Sequence, residues 1–145
     1  MNDFLYPGIL SSIALLVYYF TLFKAGTARV KYNIQAPSHD GPEEYVRKVR
    51  VHINTLEHLA LFLPGLWLFS IAVDPIWAAI IGILWPVGRI GYAYGYYKGA
   101  DKRGLGLYIS MPPIYIFVID SLVGFILKIS ELFSKYYFYV EVVNE

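Results

Sequence analysis

Phe4 to Phe23 is a run of twenty residues without a formal charge. As a helix, a run of about 20 apolar residues crosses the roughly 30 Å hydrocarbon core of a bilayer. Three further stretches share this character. Leu59 to Val73 is apolar but short, so its helix must begin upstream, in the polar and helix-periodic stretch from Glu44 to His58. Pro75 to Tyr97 holds one charge, Arg89, and Gly104 to Leu127 holds only Asp120. Inside lipid every backbone polar group must be bonded within the protein, so such segments cross as helices. The expectation is an all-α integral membrane domain over residues 1–145, a four-transmembrane-helix bundle with spans at about 4–30, 44–73, 75–97 and 104–127. The tail, 128–145, carries Lys128, Glu131 and Lys135 at i, i+3 and i+7 beside Leu132, Phe133 and Tyr136, which predicts a helix running out along the interface.

The first run reads as a span and not as a signal peptide. No Lys or Arg precedes it and it is too long for a signal core, although Gly26-Thr27-Ala28 has the small residues of a cleavage site. Composition agrees with a membrane protein. The chain is 57% hydrophobic and 16% charged, against about 25% charged in an average globular domain. A net charge of +1 leaves no basic field for nucleic acid. With no cysteine, there are no disulfides, thiolate metal sites or cysteine nucleophiles. Any thiol must arrive with a ligand.

The connectors differ in charge. The first and its flanks hold Lys24, Arg29, Lys31, Arg47, Lys48 and Arg50, and the third holds Lys98, Lys102 and Arg103. The second, around Asp74-Pro75, holds no base. By the positive-inside rule both basic connectors are cytoplasmic and both termini lie on the other side. A bacterial inner membrane fits better than endoplasmic reticulum.

The segment Arg47 to His58 carries the chemistry. On a helix Arg50, Asn54 and Glu57 fall at i, i+4 and i+7 and share one face, with Arg47 and His58 at its edges. An ionised group at the bilayer centre costs about 2.5–3.5 kcal/mol on insertion scales, so such groups turn inward and pair. One reading is an Arg50–Glu57 or interhelical ion pair that ties the bundle. The other is a site for a charged ligand at the cytoplasmic end. The third span adds Arg89, Tyr92 and Tyr96 at i, i+3 and i+7, with Gly91-x-x-x-Gly95 allowing close helix approach. Its tyrosines also fit an interfacial aromatic belt, and Arg103 also fits a topology anchor. His52 and His58 lie on opposed faces of one helix, a poor arrangement for haem, and no cluster has metal-ligand spacing. Neither metal nor haem is expected.

Arg50-x-His52-x-Asn54-x-x-Glu57, then Pro64-x-x-Trp67, then Gly88-Arg89-x-x-Tyr92-x-x-x-Tyr96, then Arg103 resembles the family of membrane-associated proteins in eicosanoid and glutathione metabolism, and its microsomal glutathione transferases in particular. The likeness covers residues 5–128 or so. It implies a four-helix protomer in a homotrimer, with glutathione as co-substrate between neighbouring protomers near the cytoplasmic face. By that resemblance Arg29, Arg50, Asn54, Glu57, Tyr92 and Tyr96 contact glutathione, with His52 and His58 among them, and Arg103 holds the thiolate as the catalytic residue. His52 stands where glutamine is common, and His58 where an aromatic or polar residue varies. Gly104 stands where the family's prostaglandin synthase has a serine, which argues against prostaglandin isomerisation.

The chemistry agrees. Glutathione brings two carboxylates, an ammonium and a thiol. Arginines pair with carboxylates in a bidentate way, and Glu57 can accept an ammonium. A free thiol has a pKa of about 8.5, and lowering it by two units takes about 2.7 kcal/mol of thiolate stabilisation. One guanidinium in a low-dielectric site can supply that. The expected activity is attack of the thiolate on lipophilic electrophiles entering from the bilayer, with glutathione-dependent reduction of lipid hydroperoxides beside it. The alternative is a non-catalytic lipid-binding scaffold of the same fold.

Overall fold

A computed structural model describes residues 2–143, with side chains from 3 to 140. Five α-helices lie among the described residues: α1 Leu5–Lys31, α2 Glu43–Ala72, α3 Pro75–Gly82, α4 Leu84–Lys98 and α5 Gly104–Val143. A short 3₁₀ turn, Ala100–Arg103, leads into α5. By length and composition α1, α2 and the α3–α4 unit Pro75–Lys98 are each able to cross a membrane. The 40 residues of α5 make a rod of about 60 Å, twice the hydrocarbon thickness.

Local chemistry sets the breaks. Asp74 caps α3, its carboxylate accepting from the backbone N–H groups of Ile76 and Trp77 at 2.8 Å each, and Pro75 takes the first helical position, where its missing N–H costs nothing. The third apolar stretch, expected as one helix, is interrupted at Ile83. Pro86 has no N–H for the Gly82 carbonyl four residues back, and its ring crowds that carbonyl. Residues 128–143, expected to run along the interface, continue α5 without a break. No Gly or Pro follows Gly124 there, and the Lys135 ammonium meets the Glu131 carboxylate one turn away at 2.6 Å.

α1, α2, the α3–α4 unit and α5 run alternately up and down, so the α1–α2 and α4–α5 corners share one end and the Val73–Asp74 turn lies at the other. There Lys128 of α5 donates to the Ile71 carbonyl at 2.6 Å, covering a free acceptor at the end of α2. The middle of the bundle is aromatic. Phe62 stacks on Trp85 with ring centroids 4.6 Å apart, and Phe69 meets Phe117 at 5.2 Å. Large apolar side chains such as Leu16, Ile80 and Leu122 point outward. With hydrocarbon outside, helices gain little from hiding leucine and are held by close packing.

That packing is tightest between α4 and α5, where backbone meets backbone. A Cβ on Gly106 would lie 2.0 Å from the Tyr92 nitrogen, and one on Gly88 would lie 2.5 Å from the Ser110 nitrogen. Of the Gly91-x-x-x-Gly95 pair expected to allow close helix approach, only Gly95 makes a tight contact. A Cβ on Gly91 would meet the Gly106 Cα at an ordinary 3.7 Å, and Gly95 makes room for the Lys102 carbonyl.

Candidate functional site

The basic end holds the polar side chains singled out by the sequence. Asn54 of α2 donates through Nδ2 to the Tyr92 hydroxyl oxygen of α4 at 2.6 Å. The Tyr92 ring meets the Tyr96 ring edge-on, centroids 5.6 Å apart. Arg103, the last residue of the 3₁₀ turn before α5, donates through Nη1 to the Tyr96 hydroxyl at 3.2 Å, its guanidinium carbon 5.2 Å from that ring's centroid. Three helical elements are thereby joined by one thread, Asn54–Tyr92–Tyr96–Arg103, with a hydrogen bond at each end and a ring contact in the middle. The Gly106 contact fixes Tyr92 from behind.

Arg50 and Glu57 flank Asn54 on the same face of α2, and both are exposed. Neither forms an ion pair among the described residues, so the internal Arg50–Glu57 bridge that the spacing allows is not formed. Nearby charges are used differently. Glu44 gathers Lys48, Lys31 and the Tyr32 hydroxyl at 2.6, 3.1 and 2.6 Å, which ties the α1–α2 corner.

Arg29, His52 and His58 are not joined to the thread within one chain. Arg29 caps the corner, Nη1 donating to the Ile34 carbonyl at 3.5 Å and the guanidinium 5.7 Å from the Tyr45 centroid. His52 turns toward α1 and stacks on Tyr18 at 5.3 Å. His58 is half-buried, and its Nδ1, like that of His52, has no hydrogen-bond partner.

Arg89 shares a helix face with Tyr92 and Tyr96 in the sequence but is not among the expected glutathione contacts. It is wholly buried. Its Nη2 donates to the Thr55 hydroxyl at 2.7 Å, and Thr55 passes its own proton to the Val51 carbonyl at 2.7 Å. The guanidinium lies 4.0 Å from the Tyr92 centroid, while Nε and Nη1 have no partner. It is therefore a cation set directly beneath the thread. The signal for it was its standing as the one charge in an apolar span. Thr55 gave no signal of its own.

The arrangement can receive a ligand of both charge signs. Because Asn54 donates to the Tyr92 oxygen, the tyrosine's own proton is free to donate elsewhere. Arg103 commits one of its N–H donors to Tyr96, and Arg50 and Glu57 are open. No three His, Asp or Glu side chains gather as a metal site among the described residues.

Comparison with known proteins meets this geometry. A protein of Synechocystis sp. described as uncharacterized is 41% identical over 131 residues, 90% of this chain and 96% of the relative. Mouse microsomal glutathione S-transferase 2 is 30% identical over 102 residues, 70% of this chain and 69% of the relative. Mouse leukotriene C4 synthase is 32% identical over 110 residues, 76% and 73% respectively. The family model for MAPEG matches residues 7–123, from the first helix through most of the apolar part of α5. With its spans, its polar end and these relatives in agreement over most of its length, the chain belongs to the MAPEG family.

Proposed function

We propose that this protein is a membrane-bound glutathione transferase. The observation that carries the reading is the thread Asn54–Tyr92–Tyr96–Arg103 with Arg50 and Glu57 open beside it. Glutathione is the complementary ligand. Arg50 takes a carboxylate, Glu57 the ammonium, and Asn54 and Tyr92 orient the peptide. Arg103 holds the sulfur as thiolate, which attacks an electrophilic carbon of a lipophilic substrate arriving through the bilayer, forming the carbon–sulfur bond as that carbon's leaving group departs with its bonding electrons. The same thiolate can attack the terminal oxygen of a lipid hydroperoxide, breaking the O–O bond to release an alkoxide that takes a proton and leaves as the alcohol; the glutathione sulfenic acid formed is then converted by a second glutathione to the disulfide and water. Relatives named glutathione S-transferase and leukotriene C4 synthase support the reading.

The proposal includes a homotrimer in which glutathione lies between protomers. Arg29, near the end of α1, turns to Tyr45 and the Ile34 carbonyl at the α1–α2 corner, and His52 turns to Tyr18 of α1, so neither joins the thread of its own chain. In the proposed trimer they serve a ligand held by a neighbouring copy. His58 lies beside Glu57 at the edge of the same face. The fourth crossing is α5 over 104–127, which leaves both termini on the non-cytoplasmic side of a bacterial inner membrane, with the basic corners in the cytoplasm.

The test is titration calorimetry of glutathione into the purified protein in detergent, with conjugation of chlorodinitrobenzene and reduction of an organic hydroperoxide assayed on the same sample. Glutathione heat with conjugation above the uncatalysed rate is the expected result. Binding without either activity leaves a ligand site but no enzyme. Absence of glutathione heat selects the non-catalytic scaffold.

A further inference from the structure

The rod of α5 outruns a bilayer. With α5 crossing over 104–127 as proposed above, that part supplies about 36 Å of helix, enough for the roughly 30 Å hydrocarbon core. Lys128 then stands at the far boundary, held to the Ile71 carbonyl at 2.6 Å. Tyr136 lies eight steps further on, about 12 Å, whereas the headgroup layer is only about 5–8 Å deep. The stretch from Tyr136 to Tyr139 therefore stands in water, at the end of the molecule opposite Arg50, Asn54 and Arg103. Every residue from Ile126 to Tyr139 is exposed in a single chain.

Apolar residues recur along this rod at Ile119, Leu122, Ile126, Ile129, Phe133 and Tyr136, in alternate steps of three and four. That spacing is the a/d seam of a coiled coil. Within hydrocarbon it means little, because the residues around it are apolar too. Beyond Lys128 it is selective. There Lys128, Glu131 and Lys135 occupy the opposite face, and Glu131 is paired with Lys135 of its own helix at 2.6 Å. The seam holds no charge that would repel a like copy. Ile129, Leu132, Phe133 and Tyr136 border a furrow of about 400 Å³ along it.

The area is sufficient for self-association. Phe133 and Tyr136 on the seam, with Tyr137 and Tyr139 flanking it, are 61–69% exposed. At about 150–250 Å² a ring, the four expose roughly 400–650 Å² per chain. Two copies bring twice that before Ile129 and Leu132 are included, which reaches the roughly 1,200 Å² at which specific interfaces begin. Two copies in one membrane share one orientation, so their α5 rods meet in parallel and each seam residue faces its own counterpart.

We propose that α5 beyond Lys128 is a self-association surface, pairing with the same segment of a second copy as a parallel coiled coil outside the membrane. It rests on the crossing of α5 and not on the glutathione reading, whose site lies at the other end.

The chain has no cysteine, so single cysteines report the contact in the full chain in liposomes. Under mild oxidation Phe133→Cys and Tyr136→Cys should form disulfide-linked dimers about fivefold or more above Lys135→Cys, which lies on the opposite face. Adding Ile129→Glu should abolish the Phe133→Cys dimer, and adding Ser134→Glu, off the seam, should leave it. An impermeant maleimide, admitted to both faces by freeze–thaw, should label Lys135→Cys. Three results overturn the proposal: equal dimer yields on both faces, which is chance collision; no dimer at any position, which leaves the face to another partner; or Lys135→Cys unlabelled, which puts the segment in lipid. Glutathione calorimetry on the same variants reads the other end separately and is expected to be unchanged.

Discussion

Arg103 and Arg50 are both arginines at the basic end, but their surroundings differ. Arg103 is tied to Tyr96, a fixed point from which it can meet one atom of a ligand. Arg50 is open on the face of α2 with Asn54 and Glu57, suited to the peptide part. Replacing Arg50 by Ala should therefore mainly raise the Michaelis constant for glutathione, because it removes binding common to ground and transition states. Arg103→Ala should leave affinity within a few-fold and raise the bound thiol's pKa by about one to two pH units, roughly 1.4–2.7 kcal/mol. At pH 7 the thiolate fraction and the rate then fall about ten- to a hundredfold, less what greater basicity restores in nucleophilicity. The sign is set by the charge: a cation lost from beside sulfur favours the thiol, so raising the pH recovers rate. Thiolate ultraviolet absorbance against pH checks this, and superimposed curves would reduce Arg103 to an anchor. Spacing along one helix was enough to group Arg50, Asn54 and Glu57. The link from Thr55 to Arg89 joins residues 34 apart in sequence, and only helix packing reveals it.

At the level of elements, the α4–α5 contact decides where Tyr92 stands. Gly106 has no room for a side chain against the Tyr92 backbone, and Gly88 none against Ser110. A rigid backbone cannot yield as a long side chain can. Gly106→Ala should therefore destabilise by more than the usual 1–3 kcal/mol or so of overpacking, and should loosen Tyr92 and with it glutathione affinity. Gly91→Ala, in ordinary contact, should be neutral or stabilising by about 0.5–1 kcal/mol, as Ala is a better helix former than Gly. Thermal unfolding of both variants in detergent makes the comparison, and equal losses would contradict the backbone contact. The spacing of glycines in sequence pointed to Gly91 and Gly95, of which only Gly95 is in tight contact, against the Lys102 carbonyl, and did not point to Gly106. A four-residue repeat marks one helix face but does not say which face meets a neighbour.

For the whole molecule, a single chain leaves Arg50 and Glu57 exposed on a helix apolar enough to span a bilayer. Charged side chains at membrane depth are costly unless covered or turned to water. Closed symmetry is the usual way homo-oligomers cover such surfaces, and the proposed glutathione site uses residues from two copies. Detergent-corrected light scattering should give three times the protomer mass of 16.6 kDa. A monomer or dimer mass would remove the shared site while leaving the thread within each chain intact.

The amino-acid sequence alone determined that this chain is helical and built for a bilayer. Runs of uncharged residues long enough to span hydrocarbon allow no other backbone arrangement of this length. It also determined which residues share the Arg50–Asn54–Glu57 face, since helical periodicity is a local property. Tertiary structure decided the rest. It broke the third stretch at Ile83, bonded Asn54 to Tyr92 and Arg103 to Tyr96, buried Arg89 on Thr55, turned His52 toward Tyr18, and left the far end of α5 exposed. These depend on which helix faces meet and how closely their backbones approach. That is fixed by glycines and aromatic side chains far apart in the chain, whose pairing no local pattern encodes.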